Sequence, residues 1–258
     1  MESLPDTLKS SVESGVLVLK LNRPEKLNAL TQEMYSGLNA SLDQASASGD
    51  IGAVLIAANG DNFSAGNDLK DFMAVAMSLA GEGSEFDPME LPVVGFIHRL
   101  VRFEKPLLVA VQGQAVGIGL TLTLHADLVY LADNALLRAP FVDLGLVAEA
   151  GSSMLLPRII GTVRASEVLL EAKSVDANTA LSWGLANQVV SESDLQEAAL
   201  SSAKALAAKP KEAMRLSKQL MHTDKEQIAN HVNKELKLFF ERLQSDEAKA
   251  AFEAFLAS

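Results

Sequence analysis

Cysteine is absent from this chain of 258 residues, so neither disulfide bonds nor thiolate chemistry is open to it. Basic residues are in deficit. Lys and Arg number 22 against 33 Asp and Glu, and the net charge of −11 argues against general binding to nucleic acid or to an anionic membrane surface. An anionic ligand would have to be held by local Lys and Arg side chains against the overall field. No apolar run approaches the ~20 residues of a membrane span. The opening "MESLPDTLKS" lacks a basic start followed by an apolar core, and the ending "FLAS" is not a peroxisomal or retention tail. The expectation is therefore a cytoplasmic protein without a secretory signal. There is no "GxxxxGK[ST]", and "GIG" (117–119) lacks the third glycine and later acidic residue of a dinucleotide fingerprint, so triphosphate hydrolysis and nicotinamide binding are unsupported. The histidines, His98, His125, His222 and His231, show no metal-ligand spacing and are read as structural or exposed, with no metal expected.

What is present is an ordinary globular composition, 48% apolar and 21% charged, in a chain long enough for one large domain. "GVLVLKLN" (15–22) alternates β-branched and apolar residues and reads as a strand. Thr31 is a candidate N-cap for "QEMYSGLNASLDQAS", and "IGAVLIAAN" (51–59) and "LLVAVQG" (107–113) read as buried strands. Between them, 71–90 is Met-rich and then Gly/Glu-rich and reads as a mobile helix–loop insertion, followed by a helix "PVVGFIHRLVRF". "LVYLA" and "ALLRA" are short strands, and from Thr162 the chain is mainly helical, with breaks at Gly184, Pro210 and near Ser245. Strands alternating with helices predict an α/β core with parallel strands (1–192), followed by a helical appendage (193–258).

Two glycine turns carry the chemical signal. In "SAGND" (64–68) and in "AVGIG" (115–119) a strand ends, a glycine permits an unusual backbone angle and a helix starts. Each can leave a backbone N–H bare in front of a helix N-terminus, where negative charge is favoured. Two such donors converging on one carbonyl oxygen form an oxyanion hole. Taken singly, each is also an ordinary strand–helix turn.

"FSAGNDLKDF", "KPLLVAVQGQAVGIGLTLTLHADLVYLAD", "PFVDLGLVAEAGSSMLLPRIIG", "ANTALSWGLANQVV" and "FFERLQSDEAKAAFEAF", in that order, resemble the crotonase (enoyl-CoA hydratase/isomerase) superfamily. The resemblance covers essentially the whole chain and is greatest to the peroxisomal-type Δ3,Δ2-enoyl-CoA isomerases. It implies a crotonase-like ββα spiral with a C-terminal helical region for trimerisation. It also implies an acyl-CoA thioester substrate, with coenzyme A as part of the substrate and no separate cofactor. Carried over by position, the oxyanion donors are the N–H groups of Asn67 and Ile118. Gly66, Gly117 and Gly119 shape the turns, and Asp68 caps the helix behind the first donor. Arg23 and Lys26 would meet phosphates. The backbone at Leu27 and Ala65 would line the adenine and pantetheine path, and Leu69 and Phe141 would also contact substrate.

Family hydratases carry two glutamates, and Thr121 and Phe141 stand at those positions, so addition of water is not expected. Glu149, in "LVAEAGSS", matches the base of the single-carboxylate isomerases; its structural alternative is a first-turn glutamate set against a helix dipole. Asp143 reads as a turn aspartate. The resemblance implies that Glu149 moves a proton from C2 to C4 of a 3-enoyl thioester. The helices bearing Phe239, Phe240, Phe252 and Phe255 exceed what the core should need for cover; the resemblance implies that such helices build a trimer or a dimer of trimers, so a homo-oligomer is expected.

Overall fold

The computed structural model of the chain describes residues 4–80 and 86–257. Strands β1 (Leu8–Glu13) and β2 (Val16–Leu21) form an antiparallel hairpin in which Glu13 faces Val16. Its two-residue turn has positive φ at both Ser14 and Gly15, the backbone that so short a hairpin demands. Only Leu8 of β1 is buried, which is why "LKSSVE" carries no alternating signal. Thr31 caps α1 (Gln32–Ala47) as expected, its Oγ1 accepting from the Met34 N–H at 3.2 Å. The chain continues through β3 (Ala53–Ala58), α2 (Leu69–Ala80) and α3 (Pro92–Arg102). The expected insertion is thus helical over its first part, and 81–85 lie outside the described residues.

From there strands come in pairs, one for each of two sheets, with a helix behind each pair. Strand β4 (Leu107–Val111) is followed by β5 (Gln114–Val116) and α4 (Ile118–Thr121). Strand β6 (Leu128–Ala132) is followed by β7 (Leu136–Arg138), α5 (Ser152–Ile160) and α6 (Thr162–Leu169). Then β8 (Val175–Asp176), α7 (Ala177–Trp183) and β9 (Gln188–Val190) close the two sheets. The large sheet has the order β1-β2-β3-β4-β6-β9 and is parallel from β2 onward; the small sheet is β5-β7-β8. This is the ββα spiral that the resemblance implied. Strands β8 and β9 are two and three residues long, too short for a period to show in the sequence.

Both faces of the large sheet are covered, so β3 and β4 are buried at every position. Alternate residues go to opposite sides. Val54, Ile56 and Val109 face the main core with α1 and α3, while Leu55, Leu108 and Ala110 face α8 (Leu195–Ala207). Helix α8 contributes Leu195, Ala199, Ala203 and Ala207 to that second cluster. The segment after 192 therefore begins with an element that closes the sheet, which corrects the expectation of an appendage. Helices α9 (Lys211–Met221), α10 (Lys225–Leu243) and α11 (Asp246–Ala257) follow.

A second correction concerns the C-terminal phenylalanines. Phe239, Phe240 and Phe252 are buried in the chain's own main core, and the Phe72 ring of α2 lies 5.6 Å from those of Phe239 and Phe252. Helix α2 gives α10 and α11 an apolar surface within the same chain, so these rings need no partner subunit. The side chain of Phe255 lies outside the described residues.

Candidate active site

The two glycine turns lie side by side. Ser64 and Ala115 form a parallel bridge, in which Ser64 N–H donates to Gln114 O at 3.0 Å and Val116 N–H to Ser64 O at 2.9 Å. Contact is too close for side chains at two positions: a Cβ on Gly66 (φ +96°) would meet Val116 O at 3.0 Å, and one on Gly119 would meet Ser64 O at 2.9 Å. Among the described residues, neither the Asn67 N–H nor the Ile118 N–H has an acceptor, although the adjacent Asp68 and Gly117 N–H groups are paired. Bare donors at two abutting turns are what an oxyanion hole needs.

The first turn is braced from beneath. Asp68 Oδ1 accepts from the Lys70 and Asp71 N–H groups at 2.9 and 3.3 Å, and its Oδ2 accepts from Arg23 Nη1 at 2.6 Å. Burial would raise the Asp68 carboxyl, but the Arg23 and backbone bonds together hold it below the usual carboxylate range. Arg23 also donates to Ala29 O at 3.1 Å. Its guanidinium is thus engaged within the fold, whereas Lys26 is exposed. Leu27 O accepts from Ala65 N–H at 2.9 Å, joining the Arg23–Leu27 segment to the turn. Leu69 begins α2 and packs partly buried against the main core.

Glu149 is 3% exposed and its Oε1 accepts from Thr121 Oγ1 at 2.6 Å. The position expected to abolish water handling thus holds the hydroxyl that orients the remaining carboxylate. Burial raises the Glu149 carboxyl to about 8; the Thr121 bond opposes this and the charge of Glu235 adds to it. Phe141 is buried, its ring 3.9 Å from where a Gly117 Cβ would stand, and it adds apolar surface beside the second turn. Asp143 lies apart, half-exposed and paired with Arg138 Nη2 at 2.9 Å. His125 is half-buried with Nε2 2.7 Å from Ala150 O, and desolvation lowers its imidazole to about 4, so it is neutral. That contact helps hold Ala150 at φ +55°, a left-handed angle costly for alanine.

Glu149 is not a helix-start glutamate. Helix α5 begins three residues later, and the N–H groups of Gly151 and Ser153 are held by Glu235 instead. Two residues near the site went unnoticed in the sequence. Tyr35, fully buried on α1, donates from its hydroxyl to Asn67 Oδ1 at 2.6 Å; burial first, and the charge of Glu149 second, raise its phenol well above the usual value. Glu235 interrupts the apolar stripe Ile228, Val232, Leu236, Phe239 of α10, a legible signal of a partnered buried charge.

A parallel spiral with abutting donor turns and one dry carboxylate defines a class of fold and site, and the comparisons with known proteins agree. The chain belongs to the enoyl-CoA hydratase/isomerase family, whose sequence profile matches residues 11–257. It is 34% identical over 253 residues to enoyl-CoA delta isomerase 2 of Homo sapiens, covering 98% of this chain and 64% of that one, so it spans less than two thirds of that relative. It is 36% identical to the 1,2-epoxyphenylacetyl-CoA isomerase of Escherichia coli (strain K12), over 83% of this chain and 81% of the other. The crystal structure of an enoyl-CoA hydratase/isomerase from Pseudoalteromonas atlantica T6c superposes with a TM-score of 0.90 at 37% identity, covering 98% of this chain and 97% of that one. No helix among the described residues is long and apolar enough to cross a membrane.

Proposed function

We infer that this chain is a Δ3,Δ2-enoyl-CoA isomerase that works through the single carboxylate of Glu149. The observation that carries the reading is the Thr121–Glu149 pair: one buried carboxylate, oriented by a hydroxyl, where two-carboxylate water addition would need a second acid. Resemblance to relatives named as isomerases supports it.

The C2 proton of a 3-enoyl thioester is acidic because the anion delocalises onto the thioester oxygen. Ionised Glu149 takes that proton. The N–H groups of Asn67 and Ile118 receive the developing negative charge on oxygen, and the carboxyl returns the proton at C4. A group that titrates near 8 is matched to both halves of the transfer, since neither its acid nor its base form is scarce at neutral pH. Phe141 keeps water from the dienolate. Lys26 meets a phosphate of coenzyme A, Arg23 acts through Asp68 on the first turn, and Leu27, Ala65, Gly66, Leu69 and Gly117 line the thioester path. The assembly proposed with this activity is a homotrimer or a dimer of trimers, for which Leu220 and Met221 of α9 offer exposed apolar surface.

The test is a panel of 2-enoyl, 3-enoyl and dienoyl thioesters on purified protein. Fast isomerisation of 3-enoyl-CoA with very slow hydration of 2-enoyl-CoA is the expected outcome. Comparable turnover of the two would overturn the reading, and binding without turnover would make the chain a thioester-binding protein.

A further inference from the structure

Glu235 stands 5% exposed on the core face of α10. Its carboxylate reaches the start of α5, where Gly151 N–H donates to Oε2 at 2.5 Å, Ser153 N–H to Oε1 at 3.0 Å and Ser153 Oγ to Oε1 at 2.5 Å. His231 Nε2, one turn earlier on α10, is 3.5 Å from Oε1 and 2.8 Å from Ser153 Oγ. The donors so occupied begin two residues after Glu149. A free helix start would favour an ionised carboxylate nearby. With Glu235 seated on it, that field is spent, and a fixed negative charge lies behind the base.

We propose that Glu235 is a positioning residue that tunes the basicity of Glu149 from the C-terminal helix, by filling the start of α5 and opposing a second negative charge beside it. The proposal rests on Glu149 being the base. Tyr35 faces Glu149 from α1 and Thr121 from α4, and His125 approaches its loop through Ala150 O. Among these groups Glu235, with His231 against it, is the carboxylate whose hydrogen bonds reach the segment next to Glu149, at Gly151 and Ser153. The direction is physical: a like charge in a dry interior disfavours ionisation.

The test reads the proton on Glu149 itself, without substrate, so an error in the substrate assignment leaves it intact. Carboxyl ¹³C signals of the full chain are followed against pH, with Glu149→Gln identifying the Glu149 signal. In Glu235→Gln the midpoint of Glu149 falls by about one pH unit. In Glu235→Asp, which keeps the charge, it stays near the wild-type value. Ser153→Lys, at an exposed position, sets an ammonium against the same carboxylate while its backbone bonds remain, and it lowers the midpoint by a smaller amount. This variant decides the matter if Glu235→Gln does not fold. A purely structural role would lower the melting temperature and leave the midpoint fixed. An unmoved midpoint in the folded variants overturns the proposal.

Discussion

Two buried carboxylates lie on either side of the start of α5, and their surroundings differ completely. Glu235 accepts two backbone N–H groups and a hydroxyl; Glu149 accepts one hydroxyl. Burial is nearly equal, 5% and 3%. The difference is one of satisfaction. A carboxylate supplied with donors at a helix start is fixed in place as a structural anion. One left with a single donor in apolar surroundings has an unmet demand that a proton can fill. That is the condition of a group able to take up and release a proton, and its one donor, Thr121, ends the short helix that follows the second glycine turn.

The largest break in the comparison comes from Glu149→Gln, which keeps size and fold but cannot cycle a proton. Isomerisation of 3-enoyl-CoA should fall about 10²–10⁴-fold with thioester affinity kept, as seen by kcat against Kd. Asp143→Asn, at a half-exposed ion pair, serves as the control and should keep most activity. If the two variants exchange these outcomes, the wrong carboxylate has been assigned. A smaller effect follows from Thr121→Val, which removes the one donor to Glu149. Because that bond lowers the Glu149 carboxyl, its loss should move the acidic limb of kcat/KM upward and cost about tenfold at neutral pH. A limb that moves downward would contradict the site's electrostatics.

A further effect is on stability and has a definite sign. Glu149 rises from 4.5 to about 8 on folding, so folding favours its protonated form. Its contribution is complete below pH 4.5 and is lost as pH rises through 8. Glu149→Gln never ionises, so its melting temperature should gain on wild type between pH 5 and pH 9. A difference that stays constant across that range would mean the carboxyl is solvated in the folded chain.

Much of this was legible in the sequence, for local reasons. The Thr31 cap and the glycine turns are signalled by residues a few positions apart, whereas Asp68 and Glu149 stand out through the positions they hold in the family resemblance. What escaped depends on contacts distant in sequence. Tyr35 lies 32 residues from Asn67, and Glu235 lies 82 from Ser153. Arg23 illustrates the same limit. Its charge is visible in the sequence, but its partner Asp68, 45 residues on, decides that it braces a turn. Phe239 and Phe252 looked surplus because their neighbour Phe72 is in α2, far along the chain.

The central claim is that one carboxyl both removes and returns the proton, and isotope transfer tests it most directly. A 3-enoyl-CoA carrying deuterium at C2 is converted in ordinary water, and the 2-enoyl product is read by mass spectrometry and ²H NMR. The account predicts that part of the C2 deuterium appears at C4, carried by Glu149 in a site closed to solvent. Product whose C4 hydrogen comes wholly from water, accompanied by a 3-hydroxyacyl product, would contradict it.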